Sequence, residues 1–584
     1  MEKAPFVTEN EKKAFWHATS HVLADAVKRL WPDVKLGIGP AIDEGFYYDF
    51  DKKVPFTAED LVRIEAEMKK IVKDDKLFKD VLMPRKDAEK FLSKEPYKLE
   101  LLKDITDKEI SFRQHGAFID LCNNTLLKSA GQIKAFKLLN MAAAYWRGDP
   151  KKGQMQRIYG ISFPEKEMLE EFMKRKEEAE KRDHIKLGKQ LDLFGLYPET
   201  VGSGLAHWHP KGAITRNIIE NFWKSEHEKK GYKYVYTPHI GNINLWKTSG
   251  HWAHYRESMY PPIKIDEIEY LLKPMSCPFH IQIFKSKSRS YRELPLKLCE
   301  LGTVYRYEAS GALHGLVRVR GFTQDDAHIF CTQEQLEGEI TNVLDLALFM
   351  LPSFGFKEYV IELSVRDPEN KEKYLGSEKI WETAEKALTK ALEKKKLQFK
   401  RAEGEAKFYG PAIDIKLKDA IGRTWQCTTI QVDFNLPEKF DLNYVSEDNK
   451  QHRVIMVHHT VLGSMERFMG CLIEHYAGAF PVWLAPAQVK LLTFTDRNQK
   501  YAEKIEAELK KAGLRVETDY ENNTVEYKVR AAEMEKIPYV LVLGDKEEEK
   551  GTVAVRKRGT QKVQFGVKPA DFIKQIKEEI EKKA

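Results

Sequence analysis

Two strand-like segments near the middle of the chain limit most sharply what it can fold into. Thr303-Val304-Tyr305-Arg306-Tyr307-Glu308 is followed by a glycine-containing loop and then by Val317-Arg318-Val319-Arg320-Gly321-Phe322-Thr323-Gln324-Asp325-Asp326-Ala327-His328. Arginines alternate with apolar residues, which is the two-residue period of a strand. An antiparallel pair of this kind would aim Arg306 and Arg318 toward one face. Guanidinium forks on a sheet suit a polyphosphate, because they pair bidentately and stay charged. The competing reading is a row of surface ion pairs. Strand signals dominate again from Phe408 to Phe434, with interrupted helices between. This predicts an α+β domain built on antiparallel strands.

That domain is expected over residues 186–484, within a chain of 584 residues. At about 150 residues per domain the length allows three or four domains. Residues 1–163 mix helix and strand signals. The spacing predicts helices over Trp16–Leu30 and Ala58–Lys73, and a strand over Phe46–Phe50. Pro164 opens a heavily charged helix with few apolar residues, so residues 164–185 are expected to be a solvated linker. In the central domain, Ala213–Lys230 reads as an amphipathic helix, and Tyr232 to Tyr236 as a strand ending at Pro238. Residues 485–584 alternate strand and helix. Strands are expected at Val489–Phe494, Arg515–Thr518, Tyr539–Leu543 and Thr552–Arg556, and helices at Asn498–Ala512, Thr524–Glu535 and Pro569–Glu581. That is an α/β unit.

No run of about 18 apolar residues is free of charge, so no membrane partner is expected. The nearest run, Phe468 to Ala485, carries Glu474 and His475. The first residues show no signal for secretion or import. The six cysteines form no C-x-x-C pair, which fits a reducing cytoplasm. A net charge of +7 permits an RNA partner without requiring one.

Gly463-Ser464-Met465-Glu466-Arg467-Phe468 opens a further helix. With the segment from Ala213 to Pro238 and the arginine-bearing pair, it resembles the three signature motifs of class II aminoacyl-tRNA synthetases. Lys273-Pro274-Met275-Ser276-Cys277-Pro278, Phe408-Tyr409-Gly410-Pro411 and Trp425-Gln426-Cys427 narrow the resemblance to the threonyl-tRNA synthetase family. It runs from His17 to the C-terminal helix. It implies a class II antiparallel-sheet catalytic core, an α+β editing domain before it and an α/β anticodon-binding domain after it. The implied activity is ATP-dependent attachment of L-threonine to tRNA(Thr), with Mg²⁺ accompanying ATP, in a homodimer joined through Ala213 to Pro238.

The resemblance also implies roles. Cys277, His328 and His458 would hold one Zn²⁺ per chain, although their spacing alone would not mark a metal site. Arg306 would meet the α-phosphate and the amino-acid carboxylate, and Arg318 the terminal phosphate. Phe322 and Arg467 would sandwich the adenine. Glu308, Gln426, Thr429 and Gln431 would line the nucleotide side, and Gln324, Asp326 and Tyr409 would place threonine. His251 would accept the proton of the tRNA terminal hydroxyl. His17, His21, Asp120 and Cys122 would form the editing site that hydrolyses misattached serine. His17 and His21 alone, at i and i+4 on one helix face, read more readily as a structural pair. Glu547 and Arg556 would read anticodon bases.

Three departures from the family pattern stand out. The resemblance begins almost at the first helix, so the small β-rich module that precedes it in bacterial relatives is expected to be missing. Leu126 stands where a histidine is usual, four residues after Cys122, which predicts weakened editing. Ala412 replaces a usual lysine and His459 a usual arginine, which predicts slower aminoacylation. The rival readings are another class II synthetase, such as prolyl, or a non-catalytic tRNA-binding or regulatory paralogue.

Overall fold

The computed structural model describes residue 6, residues 8–124, 126–149 and 152–583. They form two compact units that divide between Glu177 and Glu178.

The first unit is built on helix α1 (Glu9–Leu30). Thr8 starts it with a reciprocal capping box, its hydroxyl accepting from the Glu11 amide while Glu11 accepts from the Thr8 amide. Its apolar stripe, including Val22, Leu23, Ala26 and Val27, is fully buried against Phe46 and Phe50 and the helix Ala58–Asp74. The larger sheet of this unit has Gly45–Asp51 and Ala135–Tyr145 on either side of Gln154–Phe163, all antiparallel. A second antiparallel sheet joins Phe78–Pro84, Glu109–His115 and Phe118–Leu121. The charged helix expected as a solvated linker starts at Lys166 and ends at Lys181. It is more than a connector. Phe172 is buried against Phe163, and Met168, Leu169 and Met173 join the same core. These four residues fall on one helical stripe, and burying one such side chain contributes about 1.5–3 kcal/mol.

The second unit holds an eight-stranded sheet. Five of its strands recur below: β1 (Leu296–Tyr305), β2 (Gly321–Cys331), β3 (Ala412–Lys418), β4 (Thr424–Asp433) and β5 (Ile455–Thr460). Their order is β1-β2-β5-β4-β3, every neighbour antiparallel. The strand expected from Tyr232 to Tyr236 shrinks to Lys233–Tyr234, beside β1. One face of the sheet is covered by helices, among them Pro210–Lys229, Gln333–Ser353 and α2 (Met465–His475), around a core that includes Trp223, Leu344 and Phe468. The C-terminal part carries a five-stranded sheet, parallel at Val516–Asp519, Val489–Thr493 and Tyr539–Leu543, then antiparallel. It adds a helix, Asp545–Lys550, and a strand, Val563–Val567, that the sequence reading did not include.

One expectation changes in a way that matters for the site. Arg306 and Arg318 are not on paired strands. β1 ends at Tyr305 and β2 begins at Gly321, so residues 306–320 form the loop between them. The backbone turns back at Gly315, whose φ is +47°, and His314 bridges to Arg318. The Tyr307 amide bonds the Ser258 carbonyl and the Arg320 amide that of Gly204, so the ladder stops there.

Two buried carboxylates fasten this sheet to its helices. Asp325 on β2 accepts from the backbone amides of Val461 (2.8 Å), Leu462 (2.7 Å) and Gly463 (2.7 Å), and from the Trp223 indole (3.1 Å). Glu466, in the first turn of α2, accepts from the Thr323 amide at 2.8 Å and from Arg216 at 3.2 Å. Arg216 also donates to the Thr323 hydroxyl at 2.7 Å. Burial pushes the Asp325 carboxyl up to about 7, and the four donors keep its ionised form within reach at neutral pH. Asp325→Ala leaves those donors without a partner, at about 1–3 kcal/mol each when none finds water. A combined loss of about 3 kcal/mol corresponds to roughly 6–12 °C in the melting temperature of a domain this size. Thermal denaturation of the variant should show that drop. A shift of about 1 °C would contradict the anchoring role.

Candidate active site

The open face of the sheet carries a cavity of about 470 Å³. Alternate residues of four adjacent strands form its floor: Gln324 and Asp326 from β2, His458 and Thr460 from β5, Thr429 and Gln431 from β4, and Ala412 and Asp414 from β3. The loop 306–320 supplies one wall through Arg306, Glu308 and Arg318, and α2 supplies Arg467. Gly410 lets the segment after Tyr409 lie against β4, since a side-chain carbon there would come within 2.0 Å of the Val432 carbonyl.

At one end of the cavity three donors converge. Ligand atoms of Cys277, His328 and His458 lie within 4.8 Å of one another, all buried. His328 and His458 face each other across the β2–β5 register, and Cys277 is the first residue of the helix Cys277–Lys285. The donor set suits a zinc-type cation. His458 Nε2 pairs with Asp433 at 2.9 Å, which leaves Nδ1 for a ligand. His328 Nε2 is buried with no hydrogen-bond partner. Burial drives His328 well below the usual histidine value and the Cys277 thiol well above its own. A neutral imidazole is what a metal requires, and a cation would favour the thiolate that burial disfavours. Beside the trio, burial also raises Asp326, and the Gln324 side-chain carbonyl has no partner.

The other end is polar and charged. Arg318 reaches Glu308 at 3.0 Å, and the Arg306 guanidinium lies 5.1 Å from the centre of the Phe322 ring. Arg467 donates to the Val317 carbonyl at 3.1 Å. Asp414, which the sequence reading missed, organises this end. It accepts from Gln426 and Thr429 at 2.7 Å each, and from Ser364 at 2.7 Å. Its signal was a lone acid inside the apolar run Ala412-Ile413-Asp414-Ile415. Gln431 accepts from the Tyr409 hydroxyl at 2.9 Å, which ties it to the Tyr409 side of the cavity.

Three known patterns match the chain. The tRNA synthetase class II core domain (G, H, P, S and T) matches residues 262–476, the anticodon binding domain residues 484–579, and the threonyl and alanyl tRNA synthetase second additional domain residues 110–159. Threonine–tRNA ligase of Dehalococcoides mccartyi (strain CBDB1) is 55% identical over 94% of this chain and 93% of its own. That of Caldanaerobacter subterraneus subsp. tengcongensis is 52% identical over 100% of this chain and 90% of its own. The chain belongs to the threonyl-tRNA synthetase family. Among solved structures, the RNA binding domain of threonyl-tRNA synthetase from Cryptosporidium parvum Iowa II is 38% identical, with a TM-score of 0.63 over 68% of this chain and 98% of its own.

Two expected residues are placed differently from their family roles. His251 does not line the cavity. It is buried, its Nδ1 bonds Ser249 at 2.7 Å, and its ring packs against Phe408 and Tyr409. Burial brings it down to about 3, so the imidazole is neutral. His459 borders the cavity, but its ring is directed into the core. Its ring bonds the Tyr232 hydroxyl at 2.7 Å, and its register neighbours Ala327 and Ile430 belong to the core. Ala412 does line the cavity, in company with Lys407 and Lys416.

The first unit brings together the other synthetase cluster. His17 lies 3.1 Å from Cys122 Sγ and 3.3 Å from His21. His21 Nδ1 is 3.3 Å from Asp120, which accepts from Tyr48 at 2.6 Å and Lys98 at 2.6 Å. Tyr48 and Lys98 had no sequence signal, because the topology alone brings them to Asp120. Leu126 is half-buried just after this strand. In the C-terminal part, Glu547 accepts from the Gly544 amide at 3.2 Å at a helix start, and Arg556 is half-buried, 4.0 Å from Glu533. Burial brings His21 down to about 3 against the opposing pull of Asp120. Nitrogen-15 NMR of labelled histidine should therefore show His21 neutral from about pH 8 to about pH 5, where an ordinary imidazole titrates. A midpoint near the unperturbed value of about 6.5 would contradict this.

Proposed function

We propose that the cavity joins L-threonine to ATP as threonyl-adenylate and passes the threonyl group to tRNA(Thr). One observation carries this reading: Cys277 and His458, two members of a trio that could hold a metal ion, line the same cavity as Arg306, Arg318 and Arg467. The carboxylate of threonine attacks the α-phosphate and pyrophosphate leaves. Arg306 meets the charge that develops on the α-phosphate, and Arg318 holds the terminal phosphate, with Mg²⁺ accompanying ATP. Phe322 and Arg467 take the adenine between them. Glu308, with Gln426 and Thr429 braced by Asp414, lines the nucleotide end, and Gln431 acts through Tyr409.

Cys277, His328 and His458 would hold a zinc ion, which when bound supplies a Lewis acid for the amino and hydroxyl groups of threonine. Asp326 accepts from the threonine hydroxyl, and the unpartnered Gln324 carbonyl accepts from an N–H of its amino group. Valine offers no hydroxyl, and a site built to engage one rejects such an analogue strongly. His251 supports the Tyr409 ring from behind, and no proton transfer is assigned to it. Glu547 and Arg556 contribute to anticodon reading. The active form is a cytoplasmic homodimer. Among the described residues no helix is long and apolar enough to cross a membrane.

Threonine-dependent ATP–pyrophosphate exchange tests the reading. Wild type should exchange and carry about one zinc per chain, and Cys277→Ser should lose most of both. Full metal in that variant refutes the ligand assignment, and absence of exchange in the wild type favours the non-catalytic paralogue.

The first unit hydrolyses seryl-tRNA, weakened by Leu126. A leucine neither positions a water nor donates a proton, and one general acid or base is worth about 10²–10⁴-fold. Preformed Ser-tRNA should be hydrolysed slowly by wild type, faster by Leu126→His, and not detectably by His17→Ala/His21→Ala. Rapid wild-type hydrolysis with no gain in Leu126→His would show that Lys98, Tyr48 or another group has taken over the role.

A further inference from the structure

Next to the metal trio lies a buried chain of polar groups to which the reaction gives no role. His280, three residues after Cys277, is wholly buried, and its Nδ1 sits 2.7 Å from His328 Nδ1. The two rings meet edge to face, with centres 4.6 Å apart. Its other nitrogen, Nε2, is buried 3.5 Å from Glu300, too far for a hydrogen bond but close enough to feel its charge. Glu300 is itself buried on β1, where it accepts from the Thr237 amide (3.0 Å), the Thr237 hydroxyl (2.8 Å) and Lys273 (3.1 Å). Burial alone would raise the Glu300 carboxyl. His280, Lys273 and Ser276 outweigh burial and bring it down to about 2, so it remains a carboxylate.

Two ring nitrogens 2.7 Å apart must share a single proton, one donating and the other accepting. Two arrangements are available. In the first, His328 Nδ1–H donates to His280 Nδ1. His280 then carries its proton on Nε2, toward Glu300, and His328 Nε2 is left as a bare lone pair. In the second, His280 donates. Its Nε2 then presents a lone pair to the Glu300 carboxylate, and His328 carries a proton on Nε2, where a ligand atom is needed. The carboxylate repels the second arrangement and stabilises the first. Asp326, 3.6 Å from His328 Nε2, is almost as close and would favour the second, but a cation on Nε2 excludes the proton there and leaves the first. His458 reaches its state by a shorter route, through direct contact with Asp433.

We infer that His280 and Glu300 are positioning residues that fix His328 in the tautomer whose Nε2 lone pair faces the metal position. His280 follows Cys277 at a spacing that suits a metal ligand, but its Nδ1 is taken by His328, so it belongs to the supporting layer. Groups of this kind typically change metal affinity by about 10–100-fold. The inference rests on the metal reading given above.

The test uses the full chain and zinc itself, with affinity measured by competition against a chromophoric chelator, and cobalt(II) as a spectroscopic probe. His280→Leu removes the hydrogen bond to His328 and the polar contact with Glu300. It should weaken zinc about 10–100-fold and shift the cobalt ligand-field bands. His280→Gln can accept from His328 and donate to Glu300, so it should recover most of the affinity and the wild-type cobalt spectrum. Glu300→Gln, which keeps the shape, should weaken zinc by a smaller factor. Melting curves of the metal-stripped proteins serve as the folding control. Wild-type affinity and spectrum in a folded His280→Leu overturn the inference, as does a His280→Gln no better than His280→Leu. If His280→Leu does not fold, unchanged zinc affinity in Glu300→Gln overturns it. If Cys277→Ser also keeps its zinc, the metal reading itself fails. If Cys277→Ser loses zinc while His280→Leu keeps it, only the relay fails.

Discussion

The cavity depends on two carboxylates that do not line it, Asp325 and Glu466. Asp325 and Asp326 are neighbours on β2, and strand alternation sends them to opposite faces. Asp326 lines the cavity, while Asp325 reaches down to three successive backbone amides just ahead of α2. Those amides begin the turn that delivers Gly463, Ser464 and Arg467 to the cavity wall. The turn needs Gly463, whose φ is +80°. Glu466 works in the opposite direction, from α2 back to β2 and to Arg216 on the helix Pro210–Lys229. The placing of α2 and Arg467 against β2 is therefore set by buried, hydrogen-bonded carboxylates. Breaking one partner of such a buried network is costly, because the remaining groups stay dry and unpaired.

Desolvation divides the cavity into two chemical regions. At the trio, burial neutralises: His328 is held well below and Cys277 well above its usual range, and Asp326 is raised. At the loop end the charges survive because they are paired or exposed, as in Arg318 with Glu308, and Lys416 with Glu362 at 2.6 Å. A cation would suit the first region because it would restore the charges that burial suppresses. A polyphosphate would suit the second because it would replace the carboxylate partners the arginines have. Both regions border the same sheet.

Much of this was legible in the sequence, for identifiable reasons. The C-terminal alternation gave Tyr539–Leu543 and Pro569–Glu581 with the bounds the structure shows, because both segments carry strong, uninterrupted periods. The arginine-bearing segments pointed to a shared face but misplaced Arg306 and Arg318 on strands. Apolar alternation extends past the point where backbone partners switch to Ser258 and Gly204, and no local pattern marks that switch. Single residues whose role comes from a distant partner stayed hidden. Lys98 and Tyr48 meet Asp120 across separations of 22 and 72 positions, and His280 meets His328 across 48. His251 shows the reverse case, since a motif position identified the residue while burial against Phe408 and Tyr409 decides what it can do.

The two-unit architecture follows from a limit on discrimination. A site that engages the threonine hydroxyl separates threonine from valine well, since valine leaves Asp326 and its neighbours desolvated without a donor. Serine keeps the hydroxyl and lacks only a methyl. A pocket gains about 1–3 kcal/mol from one such group, roughly 10–200-fold, however well it is packed. Tightening the first cavity cannot remove that ceiling. The remedy is a second site in which the smaller product is destroyed, with different chemistry: neutral imidazoles, a thiol and a buried carboxylate instead of arginines. Burial keeps His21 neutral there, so its free lone pair can hold a water rather than an anion. His17, His21, Asp120 and Cys122 supply those groups in the first unit.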